Sequence, residues 1–263
     1  MSADVLKTNL ADLPAFRALL RAVEAGFYAD LELPEPTLDL GCGDGHFVST
    51  AFEKTLTAGV DLSLESARSA LRRPDVYRGV VQAGGWRLPF VDRAFGSAIS
   101  NSVLEHIPDL EIVLREISRV LCPGAPFVFT VPSECFSTFL SVRGGLTSLG
   151  FYSMARAYTR FFDRISRHYH YHTPEEWCVL LHESGFRVER HMYYFSRHAL
   201  RAFEWGHYLG LPALVAKKIT GSWILARANA NLWLTERLLR RYFEEPLPAQ
   251  GAYLFIMARR FDA

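Results

Sequence analysis

"LDLGCGDGHF", residues 38 to 47, is the stretch that decides the fold of this chain. A short apolar run ends there, glycines follow at the alternate positions Gly41, Gly43 and Gly45, and a helix-like segment begins near Asp44. Glycine lets the chain turn sharply and lets a ligand approach the main chain without a Cβ atom in the way. The stretch therefore predicts a strand, then a turn that faces a ligand, then a helix.

The spacing of these glycines excludes two common nucleotide-binding loops. A dinucleotide fingerprint needs a small residue at position 46, where this chain has His46, and the GxxxxGK[ST] pattern of a P-loop is absent. The free N–H groups at the start of the following helix would favour an anion by ~0.3–1 kcal/mol. An amino-acid carboxylate would suit that helix start, and Asp39 would help to neutralise an ammonium group nearby.

A second acid extends the expected site. Asp61 ends the strand-like segment TAGVDL and stands 20 positions beyond Gly41. An acid at that place in a nucleotide-binding α/β fold takes the hydroxyls of a ribose. A ligand that joins an amino acid, a ribose and a base, such as S-adenosylmethionine, therefore fits better than a pyrophosphate dinucleotide.

Strand-like and helix-like segments alternate along the first half of the chain. We predict strands at TLDL, TAGVDL, GVVQA, GSAIS and PFVFTV, and helices over residues 44–54, 63–72 and 109–121. This alternation predicts an α/β fold with a parallel sheet and helices on both faces. Before it, apolar spacing over residues 12–31 predicts a helix with Asp12 as N-cap and Pro14 in the first turn.

Two long segments interrupt this alternation. Residues 133–172 follow the PFVFTV strand, and residues 196–250 separate two late strands, FRVERHMYYF and GAYLFIMARRF. Both leave the carboxyl ends of predicted strands, where ligands of open α/β sheets bind. We therefore expect one domain over residues 1–263, with these two segments as helical cap insertions over the site.

The bulk composition sets weaker limits. The 263 residues allow one or two domains, and the formal net charge of +1 gives no global attraction to nucleic acid. The cysteines have neither CxxC nor zinc-finger spacing, so we expect reduced thiols. We see no signal peptide and no apolar run long enough to span a membrane, and we predict a soluble, cytoplasmic protein.

Six blocks carry a family resemblance: LDLGCGDG, GVDLS, LPFVDRAF, SNSVLEHIPD, LREISRVLCPGAPFVFTVPS and HTPEEWCVLLHESGF. In this order they resemble class I S-adenosylmethionine-dependent methyltransferases, most closely the type-11 group that includes the ubiquinone and menaquinone methyltransferases. The resemblance covers residues 37–132 and 168–195 and the closing strand. It implies a Rossmann-like sheet of seven strands, six parallel and the last, GAYLFIMARRF, antiparallel.

The resemblance also implies which residues bind the cofactor. In chain order these are Asp39, Gly41, Cys42, Gly43, Gly45, Asp61, Leu62, Ser100 and Asn101. Asp39 would support the methionine end, Asp61 would bind the ribose and Leu62 would pack on the adenine. Ser100 and Asn101 would lie beside the methionine moiety at the end of the fourth strand.

One position departs from the family. Members usually carry an acid four residues before the leucine of LPF, and that acid accepts a hydrogen bond from the adenine amine; here the position is Gly84. A hydrogen bond to a charged acceptor contributes ~1.5–3 kcal/mol. Stacking of Trp86 on the purine and the amide of Gly85 would compensate, although Trp86 could instead only cap the core.

The segment RHYHYHTPEEW invites a metal interpretation, because His168, His170 and His172 alternate and would share one face of a strand. Upstream of it no nearby acid or cysteine completes a zinc set, and we predict no metal site. Thr173 and Glu176 instead form the capping box of a helix. One histidine or tyrosine of the segment could line the acceptor pocket, or all could be ordinary packing positions.

The sequence gives only candidates for catalysis. His106, in LEHIPD, resembles a family position at a helix start that is more often structural than catalytic. We name His106, His170 and Tyr171 as candidate catalytic residues. Methyl transfer is an in-line displacement, and a base is needed only when the acceptor holds a proton.

Residues 201–243 mix aromatic and basic side chains. The aromatic residues are Phe203, Trp205, Tyr208, Trp223, Trp233, Tyr242 and Phe243, and the basic residues are Arg201, Lys217, Lys218, Arg227, Arg237, Arg240 and Arg241. Such a surface suits a lipid-like acceptor or peripheral contact with an anionic membrane. The alternative is a helical cap that packs on its own core or on a second subunit, as in a homodimer.

The leading prediction is an enzyme that moves a methyl group from S-adenosylmethionine to a small-molecule or lipid-like acceptor. A non-catalytic cofactor-binding module that regulates a partner is the alternative, and the loss of the acid at Gly84 supports it. A nucleic-acid methyltransferase is disfavoured by NSVL after the fourth strand and by the near-zero charge. An NAD-dependent oxidoreductase is disfavoured by His46.

Overall fold

The computed structural model describes residues 4–209 and 229–261, and a seven-stranded sheet forms their centre. The strands are β1 (Thr37–Leu40), β2 (Leu56–Asp61), β3 (Tyr77–Gln82), β4 (Ser97–Asn101), β5 (Pro126–Pro132), β6 (Phe186–Tyr194) and β7 (Tyr253–Arg260). Every residue of β1, β4 and β5 is buried. These strands are buried because helices cover both faces of a parallel sheet.

The strand order is β3-β2-β1-β4-β5-β7-β6. The first five strands pair in parallel, whereas β7 is antiparallel to both β5 and β6. This confirms the Rossmann-like sheet of the predicted class, including the antiparallel last strand. From β1 the next strands are added toward one edge of the sheet, and from β4 onward they are added toward the other edge. The carboxyl ends of β1 and β4 form the crevice in which ligands of such sheets bind.

Helices lie on both faces of the sheet. They are α1 (Val5–Asp12), α2 (Ala15–Tyr28), α3 (His46–Ala51), α4 (Leu64–Leu71), α5 (Leu110–Val120), α6 (Phe136–Phe139), α7 (Ser141–Ser148), α8 (Tyr152–Ser166), α9 (Pro174–Glu183), α10 (Arg197–Leu209) and α11 (Asn229–Phe243). One buried cluster includes Leu19 of α2, and the other includes Ile117 of α5 and Trp177 of α9. The predicted capping box at Thr173 is present.

The amino-terminal helix differs from the prediction. One helix over residues 12–31 was expected, but α1 ends at Asp12 and α2 begins at Ala15. The break follows from Pro14, which disfavours a helical conformation at Leu13; Leu13 is extended, with φ −122° and ψ 153°. Asp12 is therefore the last residue of α1 and not an N-cap, and Asp4 caps α1 instead.

Helix α3 is shorter than the predicted 44–54. Gly45 has a left-handed backbone (φ +76°), so the helix starts at His46, and Phe52 is extended at φ −127°, so it ends at Ala51. A left-handed residue cannot continue a right-handed helix. The glycine turn thus extends two residues further than the sequence pattern indicated.

The two long interruptions both leave the carboxyl edge of the sheet, as predicted. The first follows β5 and contains α6, α7 and α8, and the second follows β6 and contains α10 and α11. Glu204 of α10 joins them, because it accepts hydrogen bonds from the Ser141 amide at 2.6 Å and the Tyr158 hydroxyl at 2.5 Å. Of the residues singled out in 201–243, Trp223, Lys217, Lys218 and Arg227 lie outside the described residues.

The four cysteines are free, in agreement with the expected reduced thiols. Within residues 4–209 and 229–261, the longest apolar helices are too short or too polar to cross a bilayer.

Candidate cofactor and acceptor site

The glycine turn lies between β1 and α3, and its glycines differ in the space that a side chain would have. All three backbones are left-handed, with φ of +77° at Gly41, +55° at Gly43 and +76° at Gly45. A Cβ atom on Gly41 would stand 2.4 Å from the Val103 side chain, which arrives from the end of β4. At Gly43 a Cβ atom would meet nothing within 4 Å. Gly41 therefore permits close packing, and Gly43 leaves open space.

Asp61 ties the end of β2 to this turn. One carboxylate oxygen accepts the Gly43 amide at 2.9 Å, and the other accepts the Ser63 amide at 2.8 Å. A carboxylate offers about four lone-pair positions, so these two bonds leave acceptors for the two hydroxyls of a ribose. Asp61 is half-buried, and its orientation fits the ribose role predicted for it.

The sequence predicts free N–H groups at the amino terminus of α3, but the first amide of that helix is already hydrogen-bonded. The helix has six residues, and the Asp44 side chain accepts the His46 amide at 3.1 Å. Burial opposes ionisation of Asp44, but the His46 amide and the Arg73 guanidinium hold its pKa below the usual value. This carboxylate therefore occupies the first amide of the helix.

Asp39 lies beneath the turn rather than in open space. It is 3% exposed, and its carboxylate accepts a hydrogen bond of 2.6 Å from the Tyr77 hydroxyl. Burial raises the pKa of Asp39 to about 7, and the nearby Asp61 carboxylate adds to that shift. Its support of a cofactor stays a prediction, and what the side chain contacts in the structure is Tyr77.

Two arginines that the sequence analysis did not single out lie next to the turn. Arg17 and Arg21 are four residues apart and therefore share one face of α2, which packs against α3. The Arg21 guanidinium lies 5.9 Å from the ring centre of Phe47, in the first turn of α3. Arg17 is exposed as a whole residue, but desolvation of its guanidinium and the neighbouring Arg21 lower its pKa, while the Asp44 carboxylate opposes that shift. These arginines place two guanidinium groups beside the amino-terminal end of α3.

Glu24, one turn after Arg21, is fully buried and connects α2 to the end of β4. Its carboxylate accepts hydrogen bonds from Arg21 at 2.5 Å and from the Asn101 amide at 2.7 Å. It also accepts the hydroxyls of Ser102 and Tyr194, each at 2.9 Å. Burial opposes the charge of Arg21, but Glu24 raises the pKa of that guanidinium. Asn101 is thus held in place by Glu24 at the edge of the crevice.

Ser100 and Cys42, both predicted cofactor contacts, have buried side chains. The Ser100 hydroxyl donates to the Leu40 carbonyl at 3.0 Å and so joins β4 to β1. Cys42 is 6% exposed, and its sulfur would stand 3.0 Å from a Cβ atom on Gly59 of β2. Their side chains support the turn from below, so a contact with the cofactor would have to come from their main chain.

On the adenine side, Leu62 and Trp86 are exposed, at 62% and 56%. The Trp86 ring lies against Gly84, where a Cβ atom would stand 2.4 Å from the indole. A Cβ atom on Gly85 would instead meet Val113 of α5 at 3.0 Å. The indole therefore fills the space that an acid at position 84 would need. Gly84 and Trp86 thus depart from the family pattern together, because the ring fits only beside a glycine.

On the other side of the crevice, residues 167–172 lie against the short 3-10 helix Leu104–His106. The Tyr169 amide donates to the Glu105 carbonyl at 2.8 Å, and Nδ1 of His106 donates to the Arg167 carbonyl at 3.0 Å. These residues form no strand, so the expected common face for His168, His170 and His172 does not exist. The alternation of histidines predicted the wrong structure because residues 167–172 pack against a 3-10 helix and do not pair with the edge of the sheet.

His168 turns toward His106, with the ring centres 5.5 Å apart. Tyr171 donates its hydroxyl to Asp163 at 2.6 Å, so it accepts from Nδ1 of His168 at 3.1 Å. The other ring nitrogen, Nε2, then carries a lone pair in both imidazoles, since Nδ1 of His106 also donates. Burial lowers the pKa of both rings, that of His168 to about 3, so both are neutral at neutral pH.

Glu105 completes this cluster. It is 2% exposed, and its Oε2 has no hydrogen-bond partner among the described residues. Glu105, His106 and His168 each place one ligand atom within 4.8 Å of the others, a grouping that the predicted absence of a metal site did not foresee. Burial raises the pKa of Glu105 to about 8, so the carboxyl keeps a proton near neutrality. Two neutral imidazoles and one carboxyl can take up and return protons.

His170 lies apart from this cluster. Its Nε2 donates to the Ile107 carbonyl at 2.8 Å, and its ring stacks on His172 at 5.2 Å. Both rings line a separate open cleft of about 440 Å³, together with Arg115 and the start of α5. Of the three candidate catalytic residues, the structure thus brings His106 and Tyr171 together through His168 and leaves His170 elsewhere.

The chain is similar in sequence to known methyltransferases. A family model described as a methyltransferase domain matches residues 11–191. A malonyl-[acyl-carrier protein] O-methyltransferase of Legionella pneumophila is 31% identical over 102 residues, which are 37% of this chain and 36% of that protein. A 2-phytyl-1,4-naphtoquinone methyltransferase of Thermosynechococcus vestitus is 26% identical over 176 residues, 61% of this chain and 77% of that protein.

Solved structures agree on the fold. An S-adenosylmethionine-dependent methyltransferase of Thermotoga maritima superposes with a TM-score of 0.55 at 17% identity and covers 93% of this chain and 90% of that one. At this identity the likeness is one of fold. Several of the curated relatives are matched over little more than a third of their own length, 36% and 38% in two cases.

Proposed function

We propose, on the premise that this chain belongs to the methyltransferase domain family and is a class I S-adenosylmethionine-dependent methyltransferase, that it methylates a lipid-like acceptor at a group that holds a proton. The observation that carries the acceptor chemistry is the Glu105–His106–His168 cluster at the end of β4. Methylation of a hydroxyl releases a proton, and such a cluster can accept it.

The residues around the crevice fit the cofactor. Gly43 leaves room for a chain of atoms against the main chain, and Asp61 keeps lone pairs for the ribose hydroxyls. Arg17 offers a guanidinium group for the carboxylate of the methionine moiety, while Arg21 beside it is paired with Glu24. The exposed Trp86 and Leu62 would enclose the adenine. When bound, S-adenosylmethionine supplies a methyl group on a sulfonium, which needs no further activation by the protein.

The chain's own contribution to the reaction is alignment and proton transfer. Well-oriented intramolecular reactions gain ~7–11 kcal/mol from positioning alone. His168 is oriented by the Tyr171 hydroxyl, which in turn is fixed by Asp163. With Nε2 unprotonated, His106 can accept the proton of the acceptor as its oxygen attacks, whereas the low pKa of His168 makes that ring the weaker base. Tyr171 is a positioning residue in this scheme, and His170 has no part in it.

A lipid-like acceptor is supported by the apolar surroundings of the cluster and by relatives. Phe136 packs against both His168 and Tyr171, at 5.1 Å and 5.6 Å between ring centres. The helical segments after β5 and β6 would cover the acceptor, which keeps water from the reacting atoms. Two relatives are named for lipid-like substrates, a fatty-acid O-methyltransferase and a 2-phytyl-1,4-naphtoquinone methyltransferase.

The test is a transfer assay with methyl-labelled cofactor and three classes of acceptor: alkyl phenols, fatty acids and alkyl amines. We expect labelled product with a proton-bearing oxygen acceptor. His106→Asn should lower kcat by roughly 10²–10⁴, the usual contribution of a general base, and leave cofactor affinity unchanged. His172→Asn, in the separate cleft, is the matched control and should keep wild-type kcat.

Two results would contradict this proposal. Wild-type kcat in His106→Asn would remove the proton acceptor from the scheme. Cofactor binding without turnover on any acceptor class would favour the non-catalytic module, which the Gly84 departure made the alternative.

A further inference from the structure

The outer surface of α8 carries two exposed stripes that the proposed reaction does not use. Met154, Phe161 and Ile165 are 58%, 48% and 45% exposed and recur at the spacing of one helix face. Beside them Arg156 and Arg160 continue to Arg164 at intervals of four residues, and all three are exposed. Within α8 only Ala155 and Phe162 are buried. The solvent-exposed surface of the helix therefore has an apolar side and a basic side.

The apolar stripe continues into the turn between α7 and α8. Leu149, Phe151 and Tyr152 are 71%, 52% and 59% exposed there. Large apolar side chains that are exposed together in one place mark an interaction site rather than ordinary surface. We call the six residues Leu149, Phe151, Tyr152, Met154, Phe161 and Ile165 the hairpin patch.

The charge of the α7–α8 hairpin has one sign. Residues 141–167 contain five arginines and a single acid, Asp163, whereas the whole chain has a net charge of +1. Asp163 faces inward and accepts the hydroxyl of Tyr171. The solvent-facing side of the hairpin therefore combines apolar residues with arginines and no carboxylate.

The hairpin is anchored, so these stripes cannot turn inward. Glu204 accepts the Ser141 amide and hydroxyl, each at 2.6 Å, and the Val142 amide at 3.2 Å. Tyr158 of α8 donates to the same carboxylate at 2.5 Å. On the inner side Phe162 packs against Phe136, which also touches the acceptor-side cluster.

We propose that the α7–α8 hairpin docks on an anionic lipid bilayer, with the hairpin patch inserted among the headgroups and Arg156, Arg160 and Arg164 on lipid phosphates. Interfacial helices combine an apolar face with arginine or lysine in this way. The inference rests on the proposed lipid-like acceptor, because the inner face of α8 reaches Tyr171 while the outer face meets the bilayer. An acceptor dissolved in the membrane would then enter beside the hairpin.

The charges favour a bilayer over a second copy of the chain. A symmetric dimer pairs the same surface on both subunits, so it would bring the arginines of two hairpins together without a carboxylate between them. An anionic bilayer neutralises all of them at once.

The test is co-sedimentation with vesicles of equimolar phosphatidylglycerol and phosphatidylcholine, compared with phosphatidylcholine alone. We expect binding to the anionic vesicles that weakens with salt. The double variant Arg156→Gln/Arg160→Gln should bind roughly thirtyfold more weakly, about fivefold for each arginine near an anionic surface. Its matched control, Arg68→Gln/Arg72→Gln, removes two exposed arginines with the same spacing near the end of α4 and should bind like wild type.

The apolar contribution has its own pair of variants. Phe161→Ser should lower vesicle binding, whereas Leu71→Ser, at a 61% exposed position of α4, should not. Docking is contradicted if wild type stays unbound, binds neutral vesicles equally well, or loses nothing in the hairpin variants. Calorimetry with S-adenosylmethionine on the same samples separates the two ideas: intact cofactor binding without vesicle binding contradicts docking alone, and absent cofactor binding contradicts the proposed function alone.

Discussion

Gly41 and Gly43 share a left-handed backbone but differ in what lies beyond their α-carbons. A Cβ atom on Gly41 would overlap Val103, whereas a Cβ atom on Gly43 would point into empty space. Both substitutions carry the cost of a left-handed alanine, about 1–2 kcal/mol. Only the substitution at Gly41 adds an overlap inside the protein. The pair therefore separates the structural role of the turn from its binding role.

We expect Gly41→Ala to lower the free energy of unfolding by about 1–3 kcal/mol more than Gly43→Ala, because overpacking adds to the backbone cost. Gly43→Ala should instead weaken cofactor binding by tenfold or more. Urea unfolding and titration calorimetry measure the two effects. A Gly43→Ala protein with wild-type affinity would show that the cofactor does not lie against this turn.

Asp39 is a carboxyl whose burial raises its pKa from 3.8 to about 7. The folded state then binds more protons than the unfolded state between these values, so this group's contribution to stability is complete below pH 4 and is lost as the pH rises through 7. We expect Asp39→Asn to equal wild type in stability near pH 4 and to exceed it at pH 8, by up to about 4 kcal/mol.

The measurement is urea unfolding of both proteins across that pH range. The amide oxygen of the Asp39→Asn variant can still accept a hydrogen bond from the Tyr77 hydroxyl. Both proteins therefore keep this hydrogen bond, and it does not contribute to the difference in stability. A stability difference that does not change with pH would mean that Asp39 ionises normally in the folded protein.

Helix α2 is the element that brings charge to the glycine turn. Arg21 is committed to Glu24, while Arg17 remains solvent-exposed on the same face. A guanidinium with spare donors binds a carboxylate in a bidentate way. We expect Arg17→Gln to weaken binding of S-adenosylmethionine about tenfold, since a charged hydrogen bond contributes ~1.5–3 kcal/mol.

Methylthioadenosine is the control ligand, because it keeps the base and the ribose but lacks the amino acid. Its affinity should be equal for wild type and Arg17→Gln. If both ligands lose affinity equally, Arg17 acts on the shape of the turn and not on the carboxylate.

The elements also show where sequence reasoning succeeds. Period-two and period-three-to-four patterns are local, so the strands, α5 and the capping box at Thr173 were predictable from a few neighbouring residues. The boundary errors at Asp12 and His46 came from single residues, Pro14 and Gly45, whose backbone preferences override apolar spacing. The histidine alternation failed for a different reason, because residues 167–172 take their conformation from contacts with Leu104–His106.

At the scale of the whole molecule, the fold was predictable and half of the site was not. The glycine turn and Asp61 lie on neighbouring strands, so strand order alone brings them together. The Glu105–His168 grouping joins residues 63 positions apart and depends on how the segment after β5 folds back. Arg17 and Arg21 depend on how α2 packs across α3. No periodicity encodes such packing between distant segments.

Titration calorimetry of S-adenosylmethionine into wild type and Asp61→Asn tests the central claim most directly. The account predicts saturable binding to wild type and a loss of tenfold or more in Asp61→Asn, since a charged acceptor of two ribose hydroxyls contributes ~1.5–3 kcal/mol for each bond. Circular dichroism should show that Asp61→Asn keeps its fold. Equal affinity of the two folded proteins, or no binding to either, would contradict the site between the glycine turn and Asp61.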